Sequence, residues 1–479
     1  MPQSSLKEKA VNGVLWTSVE RFGGQVLSLL IGIVIARILS PEDYGIVGML
    51  AIFMAVSNTL LDSGFGSALI QNRNRTEADY STCFYFNILV GLTLYVGLFL
   101  SAPFIAEFYR TPLLEPVCRG LGLVLVFNSL TIAQTARLTA ELKFRELCII
   151  TLGTQLLTGV IGLVMAFIGY GVWVLVFQQV GTAFLRLCFI EWSTRWKPLP
   201  FFSKEAFHRM FSFGSKILCS GMINTLYDNL YTLVIGRVFS PAEVGFYNRG
   251  NQFAQLPSQT LLSVVMKVAY PLMSEVQHDS VKLCLAYRKF LRVSVFVLYP
   301  VLVGLMVLSE PFIHVLLGEK WLPCVPLMQI LCLGYLFDPL THINLNILYV
   351  KGRTDLVLKL EFIKKPIAFL ILFGMIPFGL WWMCAGRVLY GVIAYCFNCY
   401  YTGKFIGFSF WQQMCYNVPV IVKSVLMGLV CWVTALCFEA PWTKLLLGIL
   451  AGVISYVGMV FITRDESFYD LKEIIFKRK

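Results

Sequence analysis

Apolar runs of about 20 residues, each long enough to cross a bilayer as a helix, recur along the whole chain and alternate with short polar segments. They predict fourteen spans, near 14–39, 43–70, 80–107, 115–138, 147–169, 172–193, 211–239, 243–273, 286–309, 324–350, 356–377, 380–402, 417–438 and 442–463. No hydrophilic stretch between them is longer than about 25 residues, which leaves no room for a soluble domain. The pattern is that of an all-α, polytopic membrane protein.

Within this pattern one stretch occurs twice. Residues 33–47 read I-V-I-A-R-I-L-S-P-E-D-Y-G-I-V, and residues 233–247 read L-V-I-G-R-V-F-S-P-A-E-V-G-F-Y. Arg37 matches Arg237, Ser40-Pro41 matches Ser240-Pro241, and Gly45 matches Gly245. Each copy predicts a membrane helix ending in an interfacial Arg, a tight turn, and a returning helix with Pro in its first position and an acid in its first turn. A duplicated hairpin at such spacing predicts two homologous halves, which in transporters face each other across a central site.

Lys and Arg fall in alternate loops. One set holds Arg73, Arg75, Arg137, Lys143, Arg145, Arg195, Lys197, Lys204, Arg209, Lys282, Arg288, Lys289, Arg292, Lys351, Arg353 and Lys404, with Arg464, Lys472, Lys477, Arg478 and Lys479 in the tail, and the opposite set little beyond Arg110, Lys320 and Lys444. The asymmetry puts both termini in the cytoplasm and supports an even number of spans. The expected organisation is an N-terminal lobe of six helices (1–194), a basic cytoplasmic linker (195–210), a second six-helix lobe (211–403), two further helices (404–463) and a basic cytoplasmic tail (464–479). Trp196, Phe201, Phe202 and Phe207 beside the linker's basic residues suggest a segment lying at the inner interface. In the last span Gly448 and Gly452 form a small-xxx-small pair, more often plain packing than a dimer face.

Composition agrees. Of 479 residues 57% are hydrophobic and 14% charged, with a mean hydropathy of +0.73, whereas soluble domains carry roughly 25% charged residues. The net charge of +12 is explained by the basic loops and gives no reason to expect nucleic acid. The fourteen cysteines lie mostly in apolar runs. The single C-x-x-C, Cys396 and Cys399, sits within a predicted helix and reads as core packing, and the four histidines have no ligand spacing, so no metal site is expected. The N-terminal run is too long for a signal peptide and reads as the first span.

Polar residues line up on several apolar helices. Arg21, Gln25, Ser28 and Gly32 recur on one face of the first span; Ser220, Asn224, Tyr227 with Asp228, and Tyr231 do so on the seventh. Asn58 and Asp62 are one turn apart on the second, and Asn248, Gln252, Gln255 and Gln259 follow 4-3-4 spacing on the eighth, beside Arg249, with Pro257 able to kink that helix. Asp338, His342 and Asn346 are spaced 4-4 on the tenth. Interhelical hydrogen bonds of about 0.6 kcal/mol each account for isolated Asn, Gln or Ser. The aligned sets, with ionisable residues among them, point instead to a hydrophilic lumen. The candidate lumen residues are Arg21, Gln25, Asn58, Asn224, Tyr227, Arg249, Gln252, Gln255 and His342. Tyr227, Tyr231, Tyr247 and Phe253 near these stripes are candidates for ring stacking on a bound ligand, though lipid-facing packing is the commoner fate of such rings.

Arg21 lies about two turns, roughly 12 Å, inside the membrane. A guanidinium at that depth needs an anion. Glu20 points about 100° away around the helix. Asp62 on the neighbouring span is one candidate partner, and a phosphate, which a guanidinium grips with two hydrogen bonds, is the other. No catalytic constellation and no nucleotide-binding motif is present, and no cofactor is expected. Transport driven by an ion gradient would need titratable groups, for which Asp62, Asp228 and Asp338 are the candidates and H+ or Na+ the coupling ion.

The stretches L-L-D-S-G-F-G-S-A-L-I-Q (60–71), Y-S-T-C-F-Y-F-N (80–87), G-Y-G-V-W-V-L-V-F-Q-Q (169–179), 233–247 and Y-P-L-M-S-E-V-Q (270–277) resemble the Wzx-type polysaccharide repeat-unit flippases. The nearest branch is the colanic-acid-exporter-like, lipopolysaccharide-biosynthesis one. The resemblance covers about residues 5–410. It implies the fold of the multidrug/oligosaccharidyl-lipid/polysaccharide (MOP) exporter superfamily, two six-helix lobes in a V plus two C-terminal helices. It further implies an undecaprenyl-diphosphate-linked glycan as substrate, the bacterial inner membrane as location, and alternating access as mechanism. Membrane lipids, a polysaccharide polymerase and chain-length proteins are the implied partners. The basic pattern of the related lipid II flippases is only partly kept, since their F-x-R-D-type stretch reads I-G-I-V-I-A-R here. The rival readings are a multidrug antiporter of the same fold, marked by a narrower and more apolar lumen, and a membrane glycan polymerase or ligase. The latter usually needs a long outer loop, and the longest here, about 310–323, is short.

Overall fold

The computed structural model describes residues 3–62, 64–72, 74–468 and 470, without the side chains of 3–11, 213, 216, 217, 219, 220, 223 and 224. The described residues form eighteen α-helices and two short 3-10 turns, with no strand among them. In chain order these are α1 (Gln3–Ile38), α2 (Pro41–Met49), α3 (Ala51–Asp62), α4 (Phe65–Gln71), α5 (Glu77–Tyr109), α6 (Leu114–Ala140), α7 (Phe144–Ile168), α8 (Trp173–Thr194) and α9 (Lys204–Val238). They continue with α10 (Pro241–Glu275), α11 (Ser280–Val307), α12 (Ser309–Leu317), α13 (Cys324–Tyr335), α14 (Asp338–Val350), α15 (Thr354–Met375), α16 (Leu380–Ile406), α17 (Phe410–Leu436) and α18 (Pro441–Ile462).

Each of the fourteen expected spans coincides with one helix or with consecutive ones, α2–α4 for the second and α13–α14 for the tenth. Ten helical segments are long and apolar enough to cross a membrane, or eleven if Pro41–Met49 and Ala51–Gln71, bent by 42°, make one span. The expected spans outside that set are α9, α10 and α15. Ten or eleven is therefore the number that apolarity alone supports. The outer segment expected as a loop at 310–323 is mostly helix, α12 followed by a 3-10 turn at Glu319–Trp321. Pro257 lies inside α10 without ending it.

The duplicated turns fold alike because their chemistry is alike. Ser40 Oγ accepts from the Asp43 amide at 3.2 Å, and the Asp43 carboxylate accepts from the Ser40 amide at 2.9 Å. Ser240 and Glu243 repeat this reciprocal cap at 3.3 and 2.9 Å. The two turns also touch each other. A Cβ on Gly45 would sit 1.7 Å from the Pro241 carbonyl oxygen, and one on Gly245 would sit 2.1 Å from that of Pro41. Only glycine lets the backbones approach so closely.

The chain divides into two compact units, 1–245 and 246–479. In the first, α1 packs on α7, α5 on α6, α6 on α8, and α3, α4 and α5 on α9. The segment expected as the inter-lobe linker lies inside this unit and is fastened to the start of α5. Trp196 Nε1 donates to Glu77 Oε2 at 2.8 Å, the Leu199 amide to Ser81 Oγ at 2.9 Å, and the Ser203 amide to Thr82 Oγ1 at 3.0 Å. Arg209 pairs with the buried Asp79. Phe207 packs against Phe65 and Phe86, while Phe201 and Phe202 stay exposed.

The second unit is centred on buried side chains of α11, α14, α16 and α17. Gln413 is its polar hub. Its Oε1 accepts from Tyr287 OH at 3.0 Å, Asn344 Nδ2 at 3.0 Å and Tyr395 OH at 3.2 Å, and its Nε2 donates to Asn344 Oδ1 and the Phe408 carbonyl. Gly448 and Gly452 are packing positions within the chain: a Cβ on Gly448 would press on Leu308, and one on Gly452 on Cys431.

Candidate functional site

In the first unit, α1 presents Arg21, Gln25 and Ser28 as exposed residues. None of the three forms a hydrogen bond or ion pair with a described residue, and Arg21 does not reach Asp62. Glu20 turns the other way, as its position around the helix requires, and accepts from Thr151 Oγ1 of α7 at 2.8 Å. On α3, Asn58 is half-buried and donates back to the Met54 carbonyl at 2.8 Å, whereas Asp62 is exposed at the helix end. Thr59 and Thr225 share a 2.9 Å hydrogen bond that joins α3 to α9. On α9, Tyr227 is half-buried and Asp228 exposed. The side chains of Ser220 and Asn224 lie outside the described residues.

In the second unit, Arg249 Nη1 donates to Gln252 Oε1 at 2.7 Å, and its guanidinium lies 5.9 Å from the Trp321 ring centroid. Gln255 is half-buried, and Gln259 and His342 are exposed. Asp338, at the start of α14, accepts from Ser258 Oγ of α10 at 2.7 Å. Asn346, the third member of that 4-4 series, is buried beside Met273.

The aromatic expectation needs correction. Tyr231, Tyr247 and Phe253 are 7%, 2% and 6% exposed, so their faces are taken up by packing rather than presented to a sugar. Tyr247 also accepts a hydrogen bond from Arg387. Only Tyr227 of the four keeps part of its surface open.

Sequence reasoning missed Arg387. It lies inside the apolar helix α16, where Nη1 donates to Tyr247 OH at 3.1 Å and Asn251 Oδ1 at 3.0 Å, and Nη2 donates to Tyr335 OH at 2.8 Å. Tyr335 OH in turn donates to Asn251 Oδ1 at 2.8 Å. Lys364 was missed too. It is buried on α15 and pairs with Glu361 at 2.7 Å and with Asn398 Oδ1 at 3.3 Å. For Arg387 the available signal was an arginine inside an apolar run; Lys364 stands in a charged stretch, K-L-E-F-I-K-K at 359–365, that gives no such signal. Neither belongs to an aligned series, which is the pattern the reading relied on.

A family model described as polysaccharide biosynthesis protein matches residues 34–326, more than half of the chain and both copies of the repeated hairpin. The chain belongs to this family. Its relatives within reach of sequence comparison include the lipopolysaccharide biosynthesis protein WzxC of Escherichia coli K12, 27% identical over 366 residues, 75% of this chain and 74% of that one. The teichuronic acid biosynthesis protein TuaB of Bacillus subtilis is 27% identical over 354 residues, 74% and 73% of the two chains. The succinoglycan biosynthesis transport protein ExoT of Rhizobium meliloti is 26% identical over 337 residues, 70% and 68%. Among solved structures, the lipid II flippase MurJ in an inward closed conformation superimposes with a TM-score of 0.75 at 16% identity, covering 94% of this chain and 99% of MurJ. An inward-facing multidrug MATE transporter of the MOP superfamily gives 0.61 at 14% identity, covering 85% and 98%. These two likenesses establish the fold as that of the MOP superfamily. The chain is thus a multi-pass membrane protein of the polysaccharide biosynthesis family, with the fold of the MOP superfamily.

Proposed function

We propose that the protein flips undecaprenyl-diphosphate-linked glycan repeat units from the cytoplasmic to the outer leaflet of the bacterial inner membrane, for a surface polysaccharide. The observation that carries the reading is the exposed stripe Arg21, Gln25 and Ser28 on α1, whose polar groups are bonded to no described residue. An arginine held within an apolar segment without an anion is costly, and a diphosphate is the anion that a guanidinium fits best. In this reading Gln25, Asn58, Asn224, Tyr227, Arg249, Gln252, Gln255 and His342 complete a hydrophilic lumen for the sugars. Both termini and the 195–210 segment are cytoplasmic, and the lumen opens alternately to the two sides. A polymerase and chain-length proteins take the glycan at the outer face.

Asp62, Asp228 and Asp338 are the groups that would bind a driving proton or sodium ion. The test is a reconstituted flipping assay in proteoliposomes with a fluorescent undecaprenyl-diphosphate oligosaccharide, under an imposed proton or sodium gradient. Gradient-stimulated flipping that Asp→Asn replacement abolishes at one of the three positions, in protein that still folds and inserts, supports coupling there. Undiminished stimulation in all three variants removes the carboxylates from the mechanism. Failure to move the lipid-linked oligosaccharide at all removes the substrate assignment.

A further inference from the structure

A cavity of about 500 Å³ opens in the second unit where α11 and α17 end and α18 begins. Its walls are apolar, with Met306, Ile330, Leu333 and Trp432 among them. Leu333 and Trp432 are 40% and 53% exposed, so the wall is an accessible apolar surface and not a closed core. Two opposite charges stand on this wall, Glu310 of α12 and Lys444 of the first turn of α18. Neither forms an ion pair with any described residue. Opposite charges that share a cavity of this size without pairing are spaced for something that carries both charges.

The surroundings set which charge goes where. Helix α18 starts at Ala440 and Pro441 with no side-chain cap, so the free amides of its first turn add to the positive end near Lys444. That end suits an anion, a phosphate above all. Glu310 suits an ammonium. His314, which also lines the cavity, lies 3.8 Å from Glu319. Helices α17 and α18, both long and apolar enough to cross a membrane, end and begin beside the cavity, which is the level at which a lipid headgroup would sit, and Trp432 is a ring that favours such a level.

We propose that this cavity is a site for a phospholipid with a zwitterionic phosphoethanolamine headgroup. The phosphate lies against Lys444 and the start of α18, the ammonium against Glu310, and the first acyl carbons against Leu333 and Trp432. The site is separate from the lumen residues and does not depend on what the protein transports. The bound lipid joins α12 to α17 and α18, the helices that follow the duplicated halves.

The test is native mass spectrometry of the full-length protein, released from detergent after incubation with equal amounts of dioleoyl-phosphatidylethanolamine and dioleoyl-phosphatidylglycerol. Wild type should retain phosphatidylethanolamine preferentially. Glu310→Gln should lower its retention about fivefold, as loss of one partly exposed ion pair does, and should shift the preference toward phosphatidylglycerol. Lys444→Gln should lower retention of both lipids. The double exchange Glu310→Lys with Lys444→Glu restores one charge of each sign and should recover phosphatidylethanolamine over either single variant, which also shows that the singles did not lose binding by misfolding. Excess soluble glycerophosphoethanolamine should leave the bound lipid in place, since the acyl contacts are missing from it. Equal retention of the two lipids by wild type, unchanged retention in both single variants, or full displacement by the soluble headgroup would overturn the proposal.

Discussion

Arg21 and Arg387 both lie inside apolar helices, and their surroundings are opposite. Arg387 of the second unit donates to Tyr247, Asn251 and Tyr335 and stacks 5.0 Å from the Tyr335 ring centroid. Arg21 of the first unit is exposed, and no described residue bonds to it. The bonding capacity of Arg387 is spent within the fold, so its worth is in stability. That of Arg21 is left open, and removing it leaves no buried partner stranded. The same residue type is thus satisfied within the fold in one case and left open in the other, which is why the proposed substrate contact falls to Arg21 and not to Arg387.

The largest expected effect belongs to the structural member. Arg387→Met removes three hydrogen bonds to a charged group and leaves Tyr247, Asn251 and Tyr335 short of a partner. It should lower stability by about 3 kcal/mol, read as a clear drop in melting temperature, with transport falling only as folded protein is lost. Selective loss of transport in a protein of unchanged stability would move Arg387 into the transport machinery. Gln413→Leu comes next. Tyr287, Tyr395 and Asn344 each lose an acceptor in a dry core, and a cost of about 2 kcal/mol is expected from denaturant unfolding.

A smaller effect concerns pH. Asp465, just past the end of α18, is pushed up by burial, but its hydrogen bonds from Lys423 and from the Ser467 hydroxyl and amide, with the Lys423 charge, together outweigh this and hold the carboxyl below the usual carboxylate range. A group depressed in the folded state stabilises fully above its unfolded value of about 3.9, and that contribution fades as pH falls through the lower folded value. Melting temperature should therefore fall more steeply below about pH 4 in wild type than in Asp465→Asn, the difference corresponding to about 1 kcal/mol. Parallel curves would mean that the pair contributes nothing to folding.

Much of this architecture was legible in the chain. The 200-residue repeat shows as two reciprocal caps, Ser40 with Asp43 and Ser240 with Glu243, because capping is local chemistry that a few residues specify. The contact of Gly45 with Pro241 was not legible, since it joins residues far apart in sequence and only their backbones meet. The clasp of Trp196 on Glu77 was hidden for the same reason: an aromatic residue beside basic ones reads as interfacial until the partner on α5 is known. In the candidate site, periodicity found the stripe on α1 and the series on α10. It could not separate Asn346, which is buried, from His342, which is exposed, because both fit one spacing. Periodicity also passed over Arg387, whose partners lie on other helices, and Lys364, which pairs with Glu361 on its own helix and reaches Asn398 on α16.

The most direct measurement sets export of the lipid-linked glycan beside melting temperature for Arg21→Ala, Arg21→Lys and Arg21→Glu. Arg21 forms no hydrogen bond or ion pair with a described residue, so all three should melt within about 0.5 kcal/mol of wild type. Arg21→Lys keeps the charge without the two-pronged grip and should retain part of the export. Arg21→Ala should lose most of it, and Arg21→Glu all of it, through repulsion of the diphosphate in a poorly screened cavity. Full export by a stably folded Arg21→Ala protein would contradict the account, and so would a marked loss of stability that the further change Asp62→Asn repairs.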